Sequence, residues 1–208
     1  MLILDLDDTI FQTNSMNPKI FDPAFSVIKA HYYSTQADTN AEQMILEMWE
    51  KPLDVVFAKY NTPEAVIAEF YKKVGNVDFR ELEIKTFQDY KVIESLPQRK
   101  ILVTTGLEEL QWAKISALGI ESDFESIKID DPRSNPRRYK IDIFRQILQE
   151  TGMLAEDIWV IGDNPESEIK AGNQLGMNTI QRKSKSKNIS ELADYVVDSF
   201  NEVIDILH

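Results

Sequence analysis

The chain has 208 residues, 43% of them hydrophobic, enough for one substantial core or for a core plus a smaller lobe. Its formal net charge of −12 repels nucleic acid and anionic membrane surfaces, so a small anionic ligand must be met by local positive charge or by a metal. The absence of cysteine excludes disulfides, thiolate catalysis, iron–sulfur clusters and cysteine zinc sites, and the two histidines, His31 and the last residue His208, are too far apart in sequence to suggest a histidine zinc site or a serine–histidine hydrolase.

The first predicted element is an apolar strand that starts at Leu2 and runs into Asp5-Leu6-Asp7-Asp8-Thr9. Alternate side chains of a strand share a face, so Asp5 and Asp7 are expected to project together, with Leu6 turned the other way. Two such charges repel by about 4 kcal/mol at ~4 Å in an effective dielectric of ~20. A cation, a shared proton, or both must then hold the pair. The plain alternative is an acidic turn after a short strand. No basic leader precedes the strand and no apolar run approaches the ~20 residues of a membrane span, so a cytoplasmic setting is expected.

Phe11 to Pro18 reads as a loop. From Pro18 to about Gly75 the apolar residues fall at helical spacing, broken by Pro52 and Pro63. Ala24, Ile28 and His31-Tyr32 fit one helix face, and Met44, Ile45, Met48 and Trp49 a second. Val55 to Tyr60 suggest a third. Thr62-Pro63-Glu64 opens a fourth, with Val66, Ile67, Phe70 and Val74 inside. Residues 14–84 thus read as a helical lobe without strands. Its methionines and aromatics either pack between helices or line a ligand pocket.

The remainder alternates strand and helix. Strands are predicted at 100–104, 124–129, 157–161, 178–181 and 195–197. Helices are predicted at 108–118, 141–150, 167–176 and 201–207. This alternation implies an α/β fold with a Rossmann-like parallel sheet, formed by residues 1–13 and 85–208. Such sheets bind ligands at the carboxyl ends of their strands. Four candidate motifs lie there: Asp5 to Thr9, Thr104-Thr105-Gly106, Lys140, and Gly162-Asp163-Asn164-Pro165-Glu166-Ser167-Glu168.

This set, in this order and over the whole chain, resembles the haloacid dehalogenase-like hydrolase superfamily, in the subgroup with a helical cap inserted after the first motif. The resemblance implies a phosphatase-type core with an α-helical cap domain at 14–84. It implies Asp5 as nucleophile, Asp7 as acid and then base, Thr104 and Lys140 as phosphate-facing groups, and Mg²⁺ as cofactor, held in part by the Asp7 backbone carbonyl. It further implies that Asp7 favours phosphoryl transfer over dehalogenation. The residue chemistry agrees. A carboxylate can attack phosphorus if cations screen the approach, and a second carboxyl can protonate the leaving oxygen and later activate water. The Thr104 hydroxyl and the backbone of Leu6, Thr105 and Gly106 would serve phosphate, although a Thr-Gly pair is also an ordinary strand-ending turn.

Lys140 stands without the following proline of the commoner motif, and Arg138, in a basic stretch with Arg133 and Arg137, competes for its role. Asp5 and Asp163 would supply carboxylates to a hard cation. Glu168 would act on the metal directly or through water, and Asn164 would orient Asp163, unless Asn164-Pro165 is simply a turn. Asp8 is expected outside the metal shell. The basic run from Arg182 to Lys187 reads as a solvated loop. The expected partner is a small phosphorylated metabolite (nucleotide, sugar and glycolate types all remain open). A sugar phosphomutase, or a non-catalytic binding module, is an alternative the sequence leaves standing, and the oligomeric state is not legible.

Overall fold

The computed structural model describes residues 1–34 and 38–207, with the side chains of all but 38–40 and 81. His208 lies outside the described residues. Strand β1 (Leu2–Leu4) opens the chain. All of its side chains are buried, so it lacks the apolar–polar alternation of a strand with one wet face.

The chain then leaves the sheet for four helices: α1 (Asp22–Ser34), α2 (Asp38–Met48), α3 (Leu53–Lys59) and α4 (Glu64–Val74). Pro52 and Pro63 stand immediately before α3 and α4, where a missing N–H breaks no helical hydrogen bond. Residues Met16–Glu83 form a compact unit. Helix α1 packs on α2 and α4. Its aromatic interior joins Phe21, Phe25, Trp49, Phe57 and Phe70 in edge and tilted contacts between 5.3 and 6.4 Å. His31 lies in α1, its ring edge-on to Tyr32.

The second compact unit consists of Met1–Ser15 and the chain from Ile84 onward. After the short helix α5 (Tyr90–Ser95) come β2 (Lys100–Thr105), α6 (Glu108–Leu118), β3 (Ser126–Asp130), α7 (Lys140–Thr151) and β4 (Trp159–Gly162). Helix α8 (Lys170–Gln174), β5 (Asn178–Arg182), β6 (Tyr195–Val197) and α9 (Asn201–Leu207) complete it. Strand β3 starts two residues later than the sequence predicts, because Glu121–Asp123 form a 3-10 turn. The helix expected from Ser167 begins instead with a π-helical turn at Pro165–Ile169.

Among the described residues the sheet has six strands in the order β3-β2-β1-β4-β5-β6, all parallel. One face is closed by Ile3, Ile101, Val103 and Val160 packing with Ile143, Phe144 and Ile147 of α7 and Ala171 of α8. This contact fixes the start of α7 relative to the tips of β1 and β4. No helix among the described residues is long and apolar enough to cross a membrane.

Candidate active site

The strand order reverses at β1, whose neighbours are β2 on one side and β4 on the other. Crevices of parallel α/β sheets open at the carboxyl ends around such a point. The register pairs Leu4 with Ile161, and the Asp5 N–H donates to the Ile161 carbonyl at 3.0 Å. Asp5 and Asp163 therefore leave the sheet side by side. With Glu168 they form a buried group in which one carboxylate oxygen from each residue lies within 4.8 Å of the other two. Asp5 is 7% exposed, Asp163 3% and Glu168 1%.

Lys140, the first residue of α7 and 6% exposed, reaches into this group. Its Nζ donates to Asp5 Oδ1 at 2.5 Å and to Glu168 Oε2 at 2.8 Å. Glu168 is presented by the π turn, a local irregularity common at functional positions. Asn164 caps that turn, its side chain accepting the Glu166 N–H at 3.0 Å. The Asn164 N–H in turn donates to Glu168 Oε1 at 2.9 Å. Gly162 makes the fold-back of Glu168 feasible: a Cβ there would lie 2.1 Å from Glu168 Cγ.

Charge is unevenly matched. Burial pushes the Asp5 carboxyl well above its usual range, against the pull of Lys140. Burial, then the Glu168 charge, raise Asp163 to about 7. Burial also opposes ionisation of Glu168, but Lys140 and the Asn164 N–H outweigh it and hold that carboxyl low. For Lys140, burial is outweighed by Asp5 and Glu168, and the ammonium is held more tightly than usual. Lys140 donates to Asp5 and Glu168 but not to Asp163, so ionising all three carboxyls together would call for a further cation.

Asp7 departs from its sequence expectation. Strand β1 ends at Leu4, and the Asp7 side chain does not join the group of Asp5. Its Oδ1 accepts from Lys114 Nζ at 2.7 Å and from Thr13 Oγ1 at 3.3 Å, and its Oδ2 accepts from Gln111 Nε2 at 2.9 Å. The predicted repulsion between Asp5 and Asp7 is thereby replaced by two separate ion pairs, Asp5 with Lys140 and Asp7 with Lys114. Asp8 adopts a left-handed backbone (φ 55°), and its Oδ1 accepts the Thr13 N–H at 2.9 Å, while its charge adds to the forces that raise Asp163.

Thr104 is fully buried at the end of β2, where its hydroxyl accepts from Gln111 Nε2 at 2.5 Å. One backbone donor expected for phosphate is engaged elsewhere: the Gly106 N–H donates to the Asp130 carbonyl at 3.1 Å. The Thr105 hydroxyl, for which the sequence suggested no role, donates to Asp130 Oδ2 at 2.9 Å. The Leu6 side chain is buried, and its carbonyl accepts the Ile10 N–H at 2.9 Å. Of the basic stretch, Lys140 contacts the carboxylate group. Arg133 pairs with Asp131 and Glu109, Arg137 with Asp130, and the exposed Arg138 with Gln146.

The Arg182–Lys187 run is only partly a solvated loop. Arg182 is buried between the Phe87 and Phe200 rings, 4.2 and 4.3 Å from their centroids, and pairs with Asp89. Two residues on, the Ser184 hydroxyl donates to Asp163 Oδ2 at 2.8 Å, a contact that the sequence suggested for Asn164.

The sheet and its strand-end carboxylates place the chain among the α/β enzymes that work at a topological switch point. Residues 2–181 match the family model described as haloacid dehalogenase-like hydrolase, and the chain belongs to that family. A glyceraldehyde 3-phosphate phosphatase from Methanocaldococcus jannaschii is 25% identical over 222 residues, covering 99% of this chain and 96% of its own. A phosphoserine phosphatase from Thermus thermophilus is 21% identical, covering 86% of this chain and 87% of its own. A haloacid dehalogenase-like hydrolase from Streptococcus pneumoniae shares the fold, with a TM-score of 0.73 at 17% identity over 100% of this chain and 97% of the other.

Proposed function

We propose that the protein is a Mg²⁺-dependent phosphatase that hydrolyses a small phosphomonoester through a phosphorylated Asp5. The observation that carries this reading is the buried group of Asp5, Asp163 and Glu168 with a single lysine among them. Its uncompensated negative charge and all-oxygen donor set suit a hard divalent ion. Asp5, Asp163 and the Asp7 backbone carbonyl would hold Mg²⁺, which would neutralise charge on the transferring group. Glu168 has one oxygen on Lys140 and the other on the Asn164 N–H, so its role in this reading is to orient Lys140.

The Asp5 carboxylate attacks phosphorus, a P–O bond forms to Asp5, and the bond to the leaving oxygen breaks. Lys140 stabilises negative charge on the attacking and transferring oxygens. Asp7 gives a proton to the leaving oxygen, then takes one from the water that attacks the phospho-aspartate. Phosphate departs and Asp5 is restored. Thr104 is the hydroxyl proposed for phosphate. The helical unit inserted between the first and second motifs is proposed as the cap that selects the substrate. The phosphatase relatives point to a small phosphorylated metabolite.

The test is phosphate release from a panel of small phosphomonoesters, with Mg²⁺ and with excess EDTA, by the wild type and Asp5→Asn. Release that needs Mg²⁺ and is abolished in a folded Asp5→Asn variant is expected. Release unaffected by chelation contradicts the metal role. Near-wild-type rates in Asp5→Asn contradict the nucleophile, and silence across the panel contradicts the activity.

A further inference from the structure

Helix α6 turns two polar side chains inward beside the buried Ile115. Trp112 is 38% exposed, whereas its neighbours in sequence Gln111 and Lys114 are buried, Lys114 at 5% exposure. Gln111 and Lys114 stand three residues apart and so share a face of the helix. Both point their polar ends at the loop after β1. Lys114 Nζ contacts Asp7 Oδ1 at 2.7 Å and lies 5.7 Å from the Phe11 ring centroid. Gln111 Nε2 bridges Asp7 Oδ2, Thr104 Oγ1 and the Thr105 carbonyl, at 2.9, 2.5 and 3.1 Å. The backbone makes space for that amide: a Cβ on Gly106 would sit 2.9 Å from Gln111 Cδ.

A buried ammonium is a poor stabilising device, because desolvation costs several kcal/mol and an apolar residue of similar volume often does as well. Its presence under Asp7, with an amide locking the other carboxylate oxygen, is better explained by a need to fix that carboxylate.

We propose that Lys114 and Gln111 are positioning residues that hold the Asp7 carboxyl in the orientation from which it exchanges protons with the leaving oxygen and with water. This rests on the phosphatase reading above. Oδ1 already accepts from Lys114 and Thr13, but Oδ2 accepts from Gln111 alone and keeps a second lone pair, so Asp7 can carry and release a proton there while the contacts persist. Lys114 acts through Asp7, and Gln111 acts through Asp7 and also through the Thr104 hydroxyl that it contacts.

The test compares Lys114→Met, Gln111→Met, Asp7→Asn and the two double variants. The readout is kcat/KM for an alkyl phosphate, whose leaving oxygen must be protonated, and for 4-nitrophenyl phosphate, whose leaving group needs no proton. Loss of about tenfold or more on the alkyl ester with a much smaller loss on the aryl ester is expected for each single variant, since positioned acid–base groups contribute at least that factor. On the Asp7→Asn background Lys114→Met should add little, whereas Gln111→Met keeps the part of its loss that passes through Thr104. Equal losses on the two esters for Lys114→Met, or a Lys114→Met loss that multiplies with Asp7→Asn, would overturn the proposal and point to a purely structural role. If Lys114→Met does not fold, Lys114→Gln decides by the same two readouts. Should Asp7→Asn itself show no preference between the esters, Asp7 is not the acid, and the inference falls with that part of the reading. An ester-selective Asp7→Asn beside a non-selective Lys114→Met sinks the positioning role alone.

Discussion

Replacing Asp163 by asparagine is expected to stabilise the metal-free protein above neutral pH while abolishing turnover. Asp163 is 3% exposed, and burial followed by the Glu168 charge moves its carboxyl from 3.8 to about 7. The folded state therefore binds this proton more tightly than the unfolded state. The group's contribution to stability is complete below pH 3.8, declines as pH rises to about 7, and is constant beyond. At roughly 1.4 kcal/mol per pH unit, the decline amounts to about 4 kcal/mol at most. Asparagine carries no charge and retains an oxygen for the Ser184 hydroxyl, which now lies 2.8 Å from Asp163 Oδ2. In EDTA at pH 8 the variant should gain about 2–4 kcal/mol, a rise in Tm of roughly 4–16 °C for a chain of this size. The gain should shrink towards zero near pH 4. Calorimetry in EDTA across this range reads the effect directly. Added Mg²⁺ should raise the Tm of the wild type and have much less effect on the variant. A variant less stable than the wild type at pH 8 in EDTA, or one with an undiminished response to Mg²⁺, would refute this reasoning.

Lys140→Met leaves Asp5 and Glu168 buried without their shared ammonium, and should cost about 3–5 kcal/mol in urea unfolding as well as activity; stability equal to the wild type would show that the three groups are not charged as described. Gly162→Ala places a methyl 2.1 Å from Glu168 Cγ. It should displace Glu168 and reduce turnover at least about tenfold with the sheet preserved by circular dichroism, on the scale of a lost electrostatic contact; unchanged kinetics would mean that the placement of Glu168 is unimportant.

Much of this was legible from sequence because the relevant features are local. Apolar strands ending in Asp5, Thr104 and Gly162-Asp163 mark their own carboxyl ends, and alternation with helices sets a parallel sheet. The proximity of Asp5 to Asp163 follows once β1 and β4 are neighbours. What escaped depends on tertiary choices. Helical spacing does not say which face of α6 turns inward, and the presence of Trp112 favours the wrong one. The inward turn of Gln111 and Lys114 gives the Asp7 carboxylate its partners. Arg182 looks solvated beside Lys183, Lys185 and Lys187, yet two aromatic rings and Asp89 from distant segments enclose it. Ser184 reaches Asp163 for the same non-local reason. Polar residues at buried helical positions are the one sequence signal that could have exposed the Asp7 supports.

The most direct test of the central claim is mass spectrometry of the protein quenched in acid during turnover with Mg²⁺ and a slow phosphomonoester. The expected result is a phosphoryl increment on the peptide containing Asp5, localised to that residue and lacking in Asp5→Asn. Turnover without a phosphoryl increment on any quenched peptide, or with one on a different residue, would contradict it.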